Sequence, residues 1–432
     1  MTYREALAFL ASLESLGIRP GLDRIRALLA RLRDPQDRFQ STLIAGTNGK
    51  GSIAAYLASI LSAAGVSAGV YTSPHLVRFE ERIAIGGELI SEDEVASLTC
   101  EVRQAIEAER AAGGDPPTYF EATTALAFLQ FARRGVPLAV LEVGMGGRFD
   151  ATNVVTPLAC AIAPVAMDHM QWLGATLSEI AWQKAGILKP GIPCAVSRQD
   201  KAALDVIRGE AARLAAPLIL STECAVRPGG RGPGFPDPPV FSLTTPSGAC
   251  YDDLTLALRG AHQVDNATTA VLVAERLAAR GFPSIDRTAI TRGLFRAVWP
   301  GRIEILPGRP DLLLDGAHNP AGCETLAAYL RQHQAGRRVT LVFGAMKDKP
   351  ADVMLGILCP LASRVIVTSI PVPRGESPHI LQRYAAHHHR DVVIEPSIAD
   401  ALEAARQAAG ADGLCVVSGS LYLVGEVKRR RG

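Results

Sequence analysis

The chain has 432 residues, 48% of them hydrophobic and 20% charged, with a formal net charge of +2. That is material for two or three domains with buried cores, in the range of an ordinary globular protein. A near-neutral balance with no Lys/Arg stripe excludes a nucleic-acid footprint, and no apolar run approaches the roughly 20 residues that span a bilayer.

Eight cysteines are scattered singly with no C-x-x-C pair, which suits a reducing compartment and excludes a zinc or disulfide framework. The first residues, MTYREALAFLASLESLG, mix acidic and basic charge and do not read as a signal peptide, so the cytoplasm is the expected location.

In chain order, a helix pair over about 2–15 and 21–33 is followed by strands alternating with helices. Strands are expected at 41–46, 67–71, 138–143, 159–164 and 193–197, and helices at 53–64, 91–111, 120–134, 177–185 and 201–215. Continuously apolar strands such as Leu138-Ala139-Val140-Leu141 suit a parallel sheet covered on both faces. Residues 226–240 read as a Pro/Gly-rich surface loop, and helices follow at 262–280 and 284–296.

The pattern breaks at Val298-Trp299-Pro300-Gly301-Arg302. A fresh alternation then starts, with apolar runs at 311–314, 338–343, 364–368, 391–394 and 414–417. The expected fold class is therefore α/β: an N-terminal, mostly parallel sheet domain of P-loop type over 1–297, and a smaller Rossmann-like α/β domain over 302–432. His387-His388-His389 reads as an exposed helix end, and Lys428-Arg429-Arg430-Arg431 as a solvated tail.

The most informative stretch is Gly46-Thr47-Asn48-Gly49-Lys50-Gly51-Ser52, between an apolar strand and a helix. Glycines let backbone N–H groups approach an anion, a helix N-terminus favours negative charge, and a lysine reaches terminal phosphates. The spacing is not that of the general P-loop, because Gly51 intervenes between Lys50 and the Mg²⁺-competent hydroxyl of Ser52.

Other polar residues follow predicted strands, where open α/β sheets place their ligands. Ser73-Pro74-His75 is either a Ser-Pro turn or a hydroxyl offered to a metal or substrate. Glu142 ends a buried strand, where an unpaired carboxylate is costly. The run from Gly144 to Asp150 lacks the third glycine of a dinucleotide fingerprint, having Phe149 there, so a Rossmann dehydrogenase is rejected. Asp168-His169 follows a further strand, and Asp315-Gly316-Ala317-His318-Asn319 follows one in the second unit. Lysine is scarce, and Lys184 taken alone reads as a snorkelling residue. Together these features suit phosphoryl transfer with Mg²⁺. No N-K-x-D or T-K-x-D stretch is present for guanine, so adenine is expected.

The segments GTNGKGS, SPHLVRFEERIAIGGELIS, TYFEATTALAF, LEVGMGGRFDATNV, DHMQWLG, KAGILKPG, HQVDNATTA, PGRIE, LLDGAHNP and SGSLYLVGEV, in this order, resemble the signature segments of the folylpolyglutamate synthase/dihydrofolate synthase family of the Mur ligase superfamily. The resemblance implies ATP-dependent amide formation. A folate-type carboxylate takes the γ-phosphate, and the amine of L-glutamate attacks the resulting acyl phosphate. Asn48, Gly49, Lys50, Gly51 and Ser52 would bind the ATP phosphates, with Asn266, Arg302 and Asp315 as further ATP contacts. Ser52, Ser73, Glu142 and His169 would hold Mg²⁺, and Lys184 matches the family's carbamylated lysine.

Lys50, Lys184, Arg302 and His318 would serve the chemistry, with His318 and Ser420 near glutamate or the acyl phosphate. Gly21, Leu22, Asp23 and Arg24 resemble the dihydropteroate-contacting segment, Thr118, Phe149, Asp150 and Ala151 complete that pocket, and Ser73 to Glu88 would be a mobile loop closing near folate. Gln183 stands where the family usually has glutamate, and Met170 replaces a commoner small polar residue. The expected substrates are small molecules (ATP, L-glutamate and dihydropteroate or a reduced folate), with no nucleic acid, no membrane and a monomeric chain. The alternatives are a member with polyglutamylating activity alone, another Mur-type amide ligase, or, from a different class, a nucleotide-dependent switch.

Overall fold

The computed structural model describes residues 1–230, 238–334 and 336–431. The chain forms two compact units, one of Met1–Gly230, Val240–Leu256 and Asp265–Val298, the other chiefly of Ala257–Val264 and Trp299–Gly432.

The first unit is built on an eight-stranded sheet of β1 (Gln40–Ala45), β2 (Gly69–Tyr71), β3 (Ile83–Ile85), β4 (Glu88–Leu89), β5 (Leu138–Glu142), β6 (Ala159–Ile162), β7 (Cys194–Val196) and β8 (Leu218–Leu220), in the order β4-β3-β2-β5-β1-β6-β7-β8. The six strands from β2 to β8 are parallel, and β3 and β4 add an antiparallel edge. All five residues of β5 are buried, as an unbroken apolar run in a sheet covered on both faces requires. Phe39 meets Phe128 and Phe131 edge-on at centroid distances of 5.7 and 5.8 Å, sealing the helix Tyr119–Arg133 to the start of β1.

The helix Lys50–Ala63 is buried along most of its length, because the helix Arg287–Arg296 covers its outer side. Their approach depends on Gly293, where a Cβ would lie 2.4 Å from the Cα of Ile60. Anything larger would push the outer helix off and expose Ile60 and its neighbours.

A three-stranded antiparallel sheet, β9 (Ala225–Pro228), β10 (Val240–Thr244) and β11 (Cys250–Thr255), belongs to the same unit. Residues 226–240 were expected to be a loop throughout. Their ends are strands, because Ala225–Pro228 pairs with β10 despite Pro228, an edge position where no N–H is needed, and 231–237 lie outside the described residues. The 73–88 segment is likewise more than a loop. It contains a 3₁₀ turn at Phe79–Arg82 and the strand β3 paired with β2.

The second unit carries β12 (Glu304–Leu306), β13 (Asp311–Leu314), β14 (Val339–Phe343), β15 (Arg364–Val367), β16 (Val392–Ile394) and β17 (Leu414–Ser418), in the order β12-β13-β17-β14-β15-β16. All are parallel except β12. Among the described residues, no helix is long and apolar enough to cross a membrane.

Candidate active site

The 46–52 loop leaves β1 in a conformation only glycine accepts. Gly46 has φ +141°, and a Cβ there would stand 2.5 Å from that of Ala163. The N–H groups of Thr47 and Asn48 donate to the Pro164 carbonyl at 2.9 and 3.3 Å. The Thr47 hydroxyl donates to Ala166 O and accepts from Ala166 N, both at 3.0 Å. Gly49, at φ +89°, begins the Lys50–Ala63 helix with no capping side chain. A helix started that way turns its first N–H groups outward, which is an anion site. A Cβ on Gly49 would come within 2.5 Å of Asn266 Oδ1, so the loop lies directly against the helix His262–Ala278. Lys50 Nζ donates to Thr47 O at 3.2 Å.

The neighbouring strands β2, β5 and β6 deliver the other groups at the same edge of the sheet as the loop. Glu142, the buried last residue of β5, pairs in register with Ile44 of β1, and its Oε2 accepts from Ser73 N at 3.3 Å. Beyond β6, His169 takes a left-handed conformation, φ +50°, and its N–H donates to Asp168 Oδ1 at 2.9 Å. Among the described residues, no group of three His, Cys, Asp or Glu side chains is placed to hold a metal ion. The expected ligand set contains only two of these residue types, with two hydroxyls.

Lys184 does not snorkel. It is 3% exposed, and its Nζ donates to Gly46 O at 2.7 Å. Burial, reinforced by the positive charge of Lys50, pulls its pKa down to about 7 against the opposing fields of Asp168 and Asp150. A substantial share of this amine is therefore uncharged at neutral pH. Gln183, just before it, contributes its backbone carbonyl to Arg148 N at 2.7 Å.

The residues expected to contact a pterin form two linked groups. Arg24 makes a two-point pair with Glu121, Nε to Oε2 at 3.2 Å and Nη2 to Oε1 at 3.1 Å. Glu121 also accepts from Thr118 N at 2.7 Å while Thr118 Oγ1 accepts from Glu121 N at 3.3 Å, a capping box that starts the helix Tyr119–Arg133. Arg24 and Thr118, far apart in sequence, thus meet through Glu121. In the sequence, Thr118-x-x-Glu121 before an apolar run signals a helix start but does not mark Glu121 as a site residue.

Gly21 and Leu22 precede the helix Asp23–Arg31, and Asp23 is exposed at its first position. In the second group Asp150 is buried, with Oδ1 accepting from Thr152 N and Oγ1 and Oδ2 from Met145 N. Burial still raises its pKa above the usual aspartate value. Ala151 is buried beside it and Phe149 is exposed.

Within the second unit, Asp315 follows β13 and accepts from Ile303 N and Ala317 N, each at 2.9 Å. Burial raises its pKa, opposed by the charge of Arg302. Arg302 also lies against Gly316, where a Cβ would be 2.5 Å from Nη1. Burial, assisted by Arg302, lowers the pKa of His262 to about 4, so this imidazole is neutral. His318 Nδ1 sits 2.8 Å from Gly316 O, and since a carbonyl only accepts, Nδ1 carries the hydrogen. Ser420, 1% exposed, caps the helix Leu421–Arg429 by accepting from Tyr422 N at 3.1 Å.

Residues 44–274 match the Mur ligase middle domain, and 301–421 match the Mur ligase glutamate ligase domain. The chain is 37% identical over 430 residues to a Bacillus subtilis protein named dihydrofolate synthase/folylpolyglutamate synthase, covering 99% of each. It superposes on Mycobacterium tuberculosis folylpolyglutamate synthase, solved with ADP and AMPPCP, with a TM-score of 0.90 at 33% identity, covering 99% of each chain. An Escherichia coli structure in complex with DHPP and ADP matches with a TM-score of 0.87 at 30% identity, covering 99% of this chain and 98% of that one.

Proposed function

This chain belongs to the dihydrofolate synthase/folylpolyglutamate synthase family of Mur ligases, and from that membership we propose that it joins L-glutamate to dihydropteroate, and to the γ-carboxyl of reduced folates, at the expense of ATP. The observation that carries the reading is the 46–52 loop, pressed on Asn266 at Gly49 and tied to the buried Lys184 at Gly46. A helix N-terminus, a loop lysine and a second, buried amine meet there, as a nucleotide polyphosphate requires.

In this reading the unit carrying β1–β11 binds ATP and the pterin, and the unit carrying β12–β17 takes glutamate. A carboxylate oxygen of the pterin substrate attacks the γ-phosphorus and ADP leaves. The glutamate nitrogen then attacks the acyl carbon, forms the amide and expels inorganic phosphate, with the ammonium proton passing to solvent or a nearby base. Lys50 and the N–H groups of 49–52 hold the phosphates, Arg302 and Asp315 orient the nucleotide, and His318 and Ser420 act at the acyl and amine end.

The hard oxygen donors Ser52, Ser73 and Glu142, with His169, fit Mg²⁺ in chemistry. The buried Glu142 accepts from Ser73 N, which brings two of these proposed oxygen donors together at the ends of β5 and β2. Bound there, Mg²⁺ would neutralise phosphate charge. Lys184, with its lowered pKa, is suited to take up CO₂ as a carbamate, since the uncharged amine is the nucleophile. The protein is proposed to act in the cytoplasm as a monomer.

The test is phosphate release with ATP, Mg²⁺, L-glutamate and either dihydropteroate or tetrahydrofolate. Turnover with both supports the bifunctional reading. Turnover with tetrahydrofolate alone assigns polyglutamylation only, and no glutamate-dependent turnover with either rejects the proposal.

A further inference from the structure

We propose that Ser197 and Gln199, just past the end of β7, are positioning residues for the phosphate loop, each bracing one of its two walls; this rests on the nucleotide-binding reading of that loop. One wall is the segment that follows β6. Its Pro164 carbonyl receives Thr47 N and Asn48 N, its Ala163 fills the space beside Gly46, and its Ala166 exchanges two hydrogen bonds with the Thr47 hydroxyl. The segment leaves the sheet after Ala163, whose N–H still donates to Ala45 O at 2.8 Å, so the backbone groups that follow need partners from elsewhere. The Gln199 amide supplies them. Its Oε1 accepts from Val165 N at 2.9 Å, and its Nε2 lies 3.1 Å from Ala163 O and 3.4 Å from Ile162 O. Three residues beyond Ala166 the same segment reaches His169, so the splint serves both ends of the site.

The other wall is the helix His262–Ala278, which presents Asn266 to Gly49. Thr269, one turn after Asn266, donates its hydroxyl hydrogen to Asp265 O at 2.9 Å. The 2.7 Å contact between the hydroxyls of Ser197 and Thr269 therefore runs from Ser197 as donor. Ser197 is 2% exposed, so water does not replace this bond. A phosphate loop binds through N–H groups aimed at fixed points, and a shift of either wall re-aims them without removing any group that touches the nucleotide.

Calorimetric titration with ADP and Mg²⁺ tests the assignment. Gln199→Ala and Gln199→Glu are expected to weaken ADP binding at least about tenfold, the latter because a carboxylate cannot donate to the Ala163 carbonyl. Ser197→Ala and Thr269→Val should each weaken it severalfold, and the double variant should be no worse than Thr269→Val alone, because both remove the one shared bond and only Thr269→Val also loses the bond to Asp265 O. Leu254→Val, a buried truncation in β11, sets the scale for loss of thermal stability alone.

ADP affinity that is unchanged in the Gln199 variants, or that falls only in proportion to melting temperature as in Leu254→Val, overturns the proposal. Failure of the unaltered protein to bind ADP rejects the nucleotide reading itself. That result is distinct from variants that bind as well as the parent.

Discussion

The Nζ of Lys184 donates to the carbonyl of Gly46 at 2.7 Å, fastening a buried amine to the first glycine of the phosphate loop. Lys184→Arg, which keeps the charge but cannot become a carbamate, should lower glutamate-dependent phosphate release by about a hundredfold or more. ADP titration should still show binding. Stripping CO₂ from the buffer should lower the activity of the parent protein, and bicarbonate should restore it. Full activity in Lys184→Arg would overturn the proposed carbamate.

The same lysine makes stability depend on pH with a definite sign. Its pKa falls from 10.5 to about 7 on folding, so below about pH 7 both states hold the proton and the folded chain bears the whole cost of the buried charge. As pH rises from about 7 towards 10.5 the unfolded chain still binds the proton, the folded chain does not, and stability increases. Lys184→Met should flatten this dependence and stabilise the protein most at the acidic end. Urea denaturation of both proteins across the window measures it, and identical pH slopes would contradict it.

Gly49→Ala places a methyl group 2.5 Å from Asn266 Oδ1 at φ +89°. The left-handed conformation alone costs about 1–2 kcal/mol for a residue with a Cβ. The displaced Asn266 should add a loss of nucleotide affinity of about tenfold or more. Calorimetry with ADP, alongside a thermal melt to confirm folding, decides the outcome.

Glu121 joins Arg24 to the helix start at Thr118, and it is buried. Glu121→Ala removes a capping box and takes the carboxylate from a half-buried guanidinium that keeps, among the described residues, only its bond to Arg19 O, at a cost of about 2–4 kcal/mol in stability. Its KM for the pterin substrate should rise about tenfold while KM for ATP changes little. An equal rise in both would mean that Glu121 acts only through general stability.

His318 carries its ring hydrogen on Nδ1, towards Gly316 O. His318→Ala should lower amide formation by about a hundredfold, in the range of a positioned acid–base group. Rapid-quench measurement of ADP formation and of the amide product separates the two steps. Equal losses in both would place His318 at the nucleotide instead.

The alternation of apolar runs and helical periods foretold both parallel sheets, because a strand buried on two faces must be apolar throughout, as β5 is. The same rule failed where strands are short or at an edge. Ile83–Ile85, Glu88–Leu89 and Ala225–Pro228 owe their conformation to pairing with a neighbour rather than to their own pattern. Among residues of the proposed site, the need for glycine at 46 and 49 was legible, because a strand-to-helix loop that brings its backbone close to an anion leaves no room for a side chain. Glu121, Thr47 and Gln199 were not, since each acts by bonding to residues far along the chain.

By itself, then, the sequence determined which chemical groups stand past the strand ends and in what order: a glycine loop with Lys50 and Ser52, then Ser73, Glu142 and His169, with Lys184 following in the last turn of a helix. Chain order carries that information, because a strand's last residues mark the edge of the sheet where ligands are taken. Only the tertiary structure decided their electrostatic state and support. Lys184 lost its charge preference when burial removed water from it, and the loop acquired walls when Pro164 and Asn266 were brought against it. Desolvation and contact between distant segments depend on packing, and no local pattern of residues encodes them.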